Sequence, residues 1–191
     1  MTPLVGLLFT GGQSRRMGAD KAALKLNGAT MADRAAAVLL EACPWSFEVG
    51  PGHTGLDQIR DGGEGPLSAL ATAGRVIDAI GEGGSAPEFA LVLAVDMPFV
   101  GAPLLRVIGD TPGPLSAVPM ANGKPQFLCA RYSWRAVKTA ETLVAAGHSA
   151  MASLTSTVPI KWLEAADYKG VASAAAFKDL DTPADLESAR S

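Results

Sequence analysis

The chain has 191 residues, 48% hydrophobic and 18% charged, which suits one domain spanning 1–191 with a substantial buried core. A formal net charge of −3 argues against a general nucleic-acid binder, whose affinity rests on many Lys/Arg–phosphate contacts. Two cysteines outside any C-x-x-C pattern, no apolar run near the roughly 18 residues of a membrane span and no signal-peptide pattern point to a cytoplasmic protein without membrane partners.

The apolar run Leu4-Val5-Gly6-Leu7-Leu8-Phe9 reads as a first, buried strand. Leu24-Lys25-Leu26 is a short extended piece before the turn dipeptide Asn27-Gly28. Thr30 and Asp33 form a T-x-x-D cap, and Met31, Ala35, Val38, Leu39 and Ala42 share one helical face until Pro44. Trp45 to Val49 is the next strand, with a turn at Gly50-Pro51-Gly52. Ile59-Arg60-Asp61 ends a third extended piece, and the loop Gly62-Gly63-Glu64-Gly65-Pro66 leads into a helix from Leu67 to about Ile80. Phe89 to Val95 is continuously apolar, as a central strand buried on both faces requires, and runs straight into Asp96-Met97-Pro98.

Ser116 to Met120 and Gln126 to Arg131 flank Asn122-Gly123, a hairpin signal. Ser133 caps a helix carrying Trp134, Val137, Ala140, Leu143 and Val144, and Val158 to Leu163 suggests a further strand. Thr182-Pro183-Ala184-Asp185 offers a cap, a first-turn proline and an acid for a final helix. Such alternation predicts a three-layer α/β fold around a mostly parallel sheet, with an antiparallel insertion near Asn122-Gly123. In open α/β sheets, ligands bind beyond the carboxyl ends of the strands. Gly11-Gly12, Asp61 and Asp96 all stand where a strand gives way to a loop, and are expected to converge on one cleft.

Directly after the first strand comes Gly11-Gly12-Gln13-Ser14-Arg15-Arg16-Met17-Gly18-Ala19-Asp20-Lys21. Paired glycines allow a sharp bend and close backbone approach to a ligand, and the exposed N–H groups of such a turn cradle anions. Arg16 and Lys21 add fixed positive charge. The loop fits neither G-x-x-x-x-G-K-[ST], since Lys21 precedes alanine, nor the G-x-G-x-x-G dinucleotide fingerprint. It is a third kind of phosphate loop.

Asp96 supplies a hard oxygen ligand at a rigid strand end, the type that holds Mg²⁺ together with phosphate and water; the plainer role is a helix cap before Pro98. Asp61 either accepts hydrogen bonds from a purine edge or ribose hydroxyl, or forms a turn before Gly62. Gly65-Pro66 is either backbone approaching a flat base or a stiff helix entry. Lys124-Pro125 either presents a cation to a second anionic substrate or is a solvated loop. Asp179 and Asp181 precede the final helix. Together these parts suit nucleotidyl transfer, which needs in-line positioning and charge neutralisation by Arg16, Lys21 and an Asp96-bound Mg²⁺. The attacking phosphate is already ionised, so no general base is required.

The segment Phe9-Thr10-Gly11-Gly12-Gln13-Ser14-Arg15-Arg16-Met17-Gly18-Ala19-Asp20-Lys21 resembles the L-A-G-G-x-S-x-R-M-G-x-D-K signature of molybdenum cofactor guanylyltransferases of the MobA type. Asp61 with Gly65-Pro66-Leu67, Asp96-Met97-Pro98-Phe99, Asn122-Gly123-Lys124-Pro125-Gln126 and Asp179-Leu180-Asp181-Thr182-Pro183 match further motifs in the same order. The resemblance implies a Rossmann-like nucleotidyltransferase fold, with a nucleotide-binding amino-terminal half and an acceptor-binding carboxy-terminal half. It implies GTP and Mg²⁺, with molybdenum-molybdopterin as the phosphate acceptor, and molybdoenzymes or other cofactor-biosynthesis proteins as further partners. By position, Phe9, Thr10, Gly11, Gly12, Lys21, Asp61, Gly65 and Asp96 meet the nucleotide, Asp96 also meets the metal, and Lys124, Pro125, Asp179 and Asp181 meet the acceptor. The sequence departs from the pattern at Phe9-Thr10, where Leu-Ala is usual, and at Gly50, where an asparagine helps bind the nucleotide. Asp179 and Asp181 replace the two asparagines of an N-x-N-T-P element. A cytidylyltransferase acting on the same pterin, or a non-catalytic carrier that delivers the cofactor, are the competing readings.

Overall fold

In a computed structural model, the residues described are 4–11, 21–26, 28–81, 86–180 and 185. The strands are β1 (Leu4–Phe9), β2 (Lys25–Leu26), β3 (Ala29–Thr30), β4 (Ser46–Val49), β5 (Asp57–Ile59), β6 (Phe89–Ala94), β7 (Ser116–Ala121), β8 (Lys124–Pro125), β9 (Cys129–Ser133) and β10 (Ile160–Leu163). The helices are α1 (Met31–Ala42), α2 (Pro66–Ile80), α3 (Ala102–Gly109), α4 (Trp134–Ala145) and α5 (Met151–Thr157).

The main sheet runs β10-β7-β9-β6-β1-β4-β5, with β8 paired to β7. β1 lies between β4 and β6 and is parallel to both. Its side chains alternate between faces as the two-residue period of a strand demands. Val5, Leu7 and Phe9 join a core with residues of α2, α4 and α5, while Leu8 joins a second core with residues of α1 and α3. β6 divides in the same way, Ala90 and Val92 to one core and Leu91 and Leu93 to the other. The fold is the three-layer, mostly parallel α/β architecture that the alternation of elements implies.

From β1 the chain moves outward through β4 to β5, then returns through α2 to β6 on the other flank of β1. The direction of winding therefore reverses between β1 and β6, and their carboxyl ends border a crevice suited to a ligand.

The antiparallel insertion is more broken than the sequence pattern suggests. Asn122 and Gly123 both have positive φ, 50° and 71°, the geometry of a tight hairpin turn. The returning arm pairs with β7 only over β8, and Gln126 to Leu128 then leave the ladder. β9 resumes as an antiparallel strand along β6, meeting β7 at Ala117↔Arg131. The strand expected over Gln126 to Arg131 thus starts at Cys129. Pro125 and the hydrogen bond from Gln126 N–H to the Pro119 carbonyl end the first ladder.

Both expected caps are present. Thr30 Oγ1 accepts from Asp33 N–H at 3.0 Å and Ser133 Oγ from Ala136 N–H at 3.2 Å. Helices α3 and α5 carry no comparable signal, since neither has a side-chain cap hydrogen bond. Thr182 to Ala184 lie outside the described residues. Cys43 and Cys129 are free and buried, and burial pushes the Cys129 thiol up to about 12, so both act as small core residues. Among the described residues no helix is long and apolar enough to cross a membrane.

Candidate active site

Three strand ends build the site. Thr10 and Gly11 follow β1, Asp61 comes two residues after β5, and Asp96 comes two residues after β6. Together with Phe9, Lys21, Val49, Leu128 and the entry to α2, they line one cavity of about 510 Å³. The sequence expectation that Gly11, Asp61 and Asp96 meet in one cleft agrees with this arrangement. Gly12 and Arg16 lie outside the described residues, as does Asp181.

Phe9, Val49, Ala69, Ala94 and Leu128 give the cavity an apolar wall, and Thr10, Lys21, Asp61, Glu64 and Asp96 give it polar groups. A flat, partly apolar ligand with a polar edge suits such a lining. Asp61 faces the first glycine of the turn, since a Cβ added at Gly11 would lie 3.1 Å from its Oδ1. Gly65 is the residue before α2 and has φ +108°, a conformation that favours glycine, with Pro66 at the first helical position. Both residues line the cavity, so helix entry and cavity wall are the same feature.

Lys21 begins a single 3-10 turn (Lys21–Ala23), and its Nζ donates to Asp96 Oδ2 at 3.4 Å. Their side chains are 14% and 28% exposed, so the pair is half-sheltered but open to the cavity. Asp96 does not cap a helix, because α3 starts at Ala102 with Gly101 in the cap position. The Asp96 carboxylate lines the cavity and so can offer a hard oxygen to a divalent ion there. Among the described residues no group of three or more His, Cys, Asp or Glu side chains forms a metal cluster. Mg²⁺ sites do not require such a cluster, since they take one or two carboxylates and complete their shell with phosphate and water.

One important acid escaped the sequence reading. Glu48, in β4, is completely buried. Its carboxylate accepts from Thr10 Oγ1 at 2.6 Å, from the N–H groups of Gly52, His53 and Thr54 at 3.0, 2.7 and 2.7 Å, and from Thr54 Oγ1 at 2.7 Å. Burial alone raises a carboxyl's pKa, but these donors favour the charged form and hold Glu48 below its ordinary value. Glu48 thereby ties the loop after β4 to the turn after β1. The signal in the sequence is a lone acid in the strand Ser46-Phe47-Glu48-Val49.

The same network accounts for two departures from the motif pattern. Gly50 has φ +149°, and a Cβ there would come 2.4 Å from Thr10 Oγ1 and 2.7 Å from Gly11 N. A side chain at position 50 is therefore excluded by the Thr10 hydroxyl and by the Gly11 backbone alike. Thr10 and Gly50 form one packing solution.

The described residues expected on the acceptor side do not line this cavity. Lys124 and Pro125 form β8 and are not among the cavity-lining residues. Asp179 is brought near the site by its neighbour, because Leu180 N–H donates to the Asp96 carbonyl at 3.0 Å.

Residues 6–162 match the model of the MobA-like NTP transferase domain. The chain belongs to the MobA-like NTP transferase family. It is a nucleotidyltransferase. It is 33% identical over 163 residues to a probable molybdenum cofactor guanylyltransferase of Mycobacterium tuberculosis, covering 80% of this chain and 79% of that one. It is 31% identical over 193 residues to a protein of the same name from Mycobacterium marinum, covering 94% and 92%. The fold is similar to the crystal structure of molybdopterin-guanine dinucleotide biosynthesis protein A from Archaeoglobus fulgidus, with a TM-score of 0.77, 21% identity and coverage of 97% and 96%. It is also similar to a manganese complex of Rv0371c from Mycobacterium tuberculosis, with a TM-score of 0.63, 16% identity and coverage of 85% and 88%.

Proposed function

We propose that this nucleotidyltransferase moves GMP from GTP to the phosphate of molybdenum-molybdopterin, giving the guanine dinucleotide form and pyrophosphate. The observation that carries this reading is the convergence of Gly11, Lys21, Asp61 and Asp96 on one cavity at the carboxyl ends of the sheet. The names of the relatives support the substrate pair. In the reaction, a phosphate oxygen of the acceptor attacks the α-phosphorus, Lys21 offers positive charge to the phosphoryl oxygens, and the bond to the pyrophosphate oxygen breaks, while Asp96 would hold the divalent ion. No proton need be removed from an ionised phosphate, which is consistent with a site lacking a histidine base.

Each residue then has a physical task. The turn after β1 offers backbone N–H groups to the phosphates, and Lys21 offers a charge that is already held in the cavity wall. Asp61 accepts the adjacent N1–H and N2–H₂ donors of guanine, an edge that cytosine does not present. Phe9, Val49, Ala69 and Leu128 cover the flat base. Asp96 is the residue that would hold a magnesium ion, which when bound supplies Lewis-acid neutralisation of the phosphoryl oxygens. A structural relative is a manganese complex, which supports use of a divalent ion. Lys124, Pro125 and Asp179 belong to the acceptor side, and Arg16 and Gly12 to the phosphate turn.

Pyrophosphate release, measured with GTP and with CTP in the presence of molybdopterin and Mg²⁺, tests the proposal. Release with GTP and little with CTP is the expected result. A preference for CTP would assign the chain to cytidylyl transfer, and nucleotide binding without release would make it a carrier.

A further inference from the structure

A small apolar cluster lies apart from the two cores that flank the sheet. Ala22, Leu26, Met31, Ala32, Val95 and Leu180 form it, with Leu24 packed against them. Three of its members are chain neighbours of candidate site residues. Ala22 follows Lys21, Val95 precedes Asp96, and Leu180 follows Asp179. Neighbouring Cα atoms are about 3.8 Å apart, so fixing one residue restricts where its neighbour can go.

Hydrogen bonds connect the same places. Leu180 N–H donates to the Asp96 carbonyl at 3.0 Å, while the Asp96 carboxylate faces Lys21 Nζ at 3.4 Å. Val95 N–H donates to the Phe9 carbonyl at 3.0 Å, which joins this cluster to the end of β1. On the carboxy-terminal segment, Phe177 packs edge-on against Tyr168 in the α1/α3 core, with ring centroids 5.5 Å apart. Asp179 therefore sits between two apolar anchors, Phe177 in one core and Leu180 in the other cluster. Leu180 is completely buried.

We infer that Leu180 is a positioning residue that docks the acceptor-side segment around Asp179 onto the Lys21–Asp96 pair, so that filling the nucleotide site tightens that docking. The inference rests on the proposed nucleotidyl transfer. A bound triphosphate and its cation would immobilise Lys21 and Asp96, whose chain neighbours Ala22 and Val95 belong to the cluster that Leu180 completes. Whatever restrains Asp96 also restrains the carbonyl that receives the Leu180 N–H. By linkage, an undocked segment must weaken nucleotide binding by the same factor. Nucleotide loading thus prepares the site for the second substrate.

Hydrogen exchange of the Leu180 amide tests this, because exchange requires its bond to Asp96 to open. The full chain is followed by NMR with and without GTP and Mg²⁺, and calorimetry measures nucleotide binding on the same samples. We expect nucleotide with Mg²⁺ to slow Leu180 exchange about tenfold, leaving the amide of Ala146 at the end of α4 unchanged. Leu180→Ala should remove that response and weaken GTP binding by about the same tenfold, and Leu180→Met should restore both. GTP binding with unchanged Leu180 exchange would overturn the coupling and leave the nucleotide reading standing. Failure of GTP to bind the wild-type chain would overturn both. Should Leu180→Ala not fold, exchange in the wild type and in Leu180→Met still decides.

Discussion

Asp96 and Asp179 lie on opposite sides of one hydrogen bond, yet the molecule holds them in different ways. Asp96 extends from β6, whose six residues are all buried and which is paired on both sides, to β1 and to β9. Asp179 lies outside the strands, between Phe177 and Leu180, which pack into two apolar clusters. Backbone ladders fix positions through many cooperative bonds, whereas two apolar anchors leave a segment able to open locally. On the proposed assignment, the nucleotide side is therefore preorganised by the sheet, and the acceptor side is assembled by side chains. Changes on the first side should remove chemistry or stability, and changes on the second should tune affinity.

The largest effect is expected at Asp96. Asp96→Ala should reduce Mg²⁺-dependent pyrophosphate release by at least about 100-fold, since it removes the carboxylate proposed to hold the ion. Because Asp96 caps no helix and its side chain opens to the cavity, the thermal midpoint should move little. Activity within tenfold of the parent in a folded variant would move the metal site elsewhere.

A smaller loss, in stability rather than in chemistry, is expected at Glu48. Glu48→Gln keeps the shape but offers one acceptor oxygen to donors that now share two, and should cost about 1–3 kcal/mol in denaturant unfolding. Folding lowers the pKa of this carboxyl, so its stabilisation is complete above the unfolded value of about 4.3 and is lost as pH falls through the lower folded value. Unfolding measured from pH 6 downward should show a shallower acid loss in Glu48→Gln than in the parent. Parallel curves would mean that Glu48 titrates alike in both states and does not lock the loop.

How much of this was open to a reader of the sequence follows from the range of each signal. The first strand, the Thr30 and Ser133 caps and the Asn122-Gly123 turn are local patterns, and each appears at or near its expected place. The grouping of Gly11, Asp61 and Asp96 was legible too, because an α/β alternation brings strand ends to one edge of the sheet. Glu48 was not, since its partners come from the end of β1 and from a loop, and only folding brings them together. The exit of Gln126 to Leu128 from the ladder, which puts Leu128 in the cavity wall, depends on competition between β7 and β6 for the returning arm. α3 and α5 are short, without side-chain caps, and owe their helical state to burial of Leu104, Leu105, Ile108 and Leu154 rather than to local sequence.

The finest contrast between the two sides concerns Asp179 itself. An asparagine both donates and accepts, whereas an ionised aspartate only accepts, so on the proposed assignment this chain would offer the acceptor a purely accepting group where the motif pattern has an amide. Such a group suits the N–H donors of a pterin ring and is unsuited to its phosphate. Asp179→Asn should therefore raise the acceptor KM about fivefold, the value of one hydrogen bond near 1 kcal/mol, and leave the KM for GTP unchanged. Steady-state kinetics with each substrate varied in turn would separate the two constants. A lower acceptor KM would instead put residue 179 beside the acceptor's phosphate, where removing a negative charge relieves repulsion. In that case the two sides would share the transferring phosphates, and the division drawn between a preorganised nucleotide half and a tunable acceptor half would have to move toward the pterin.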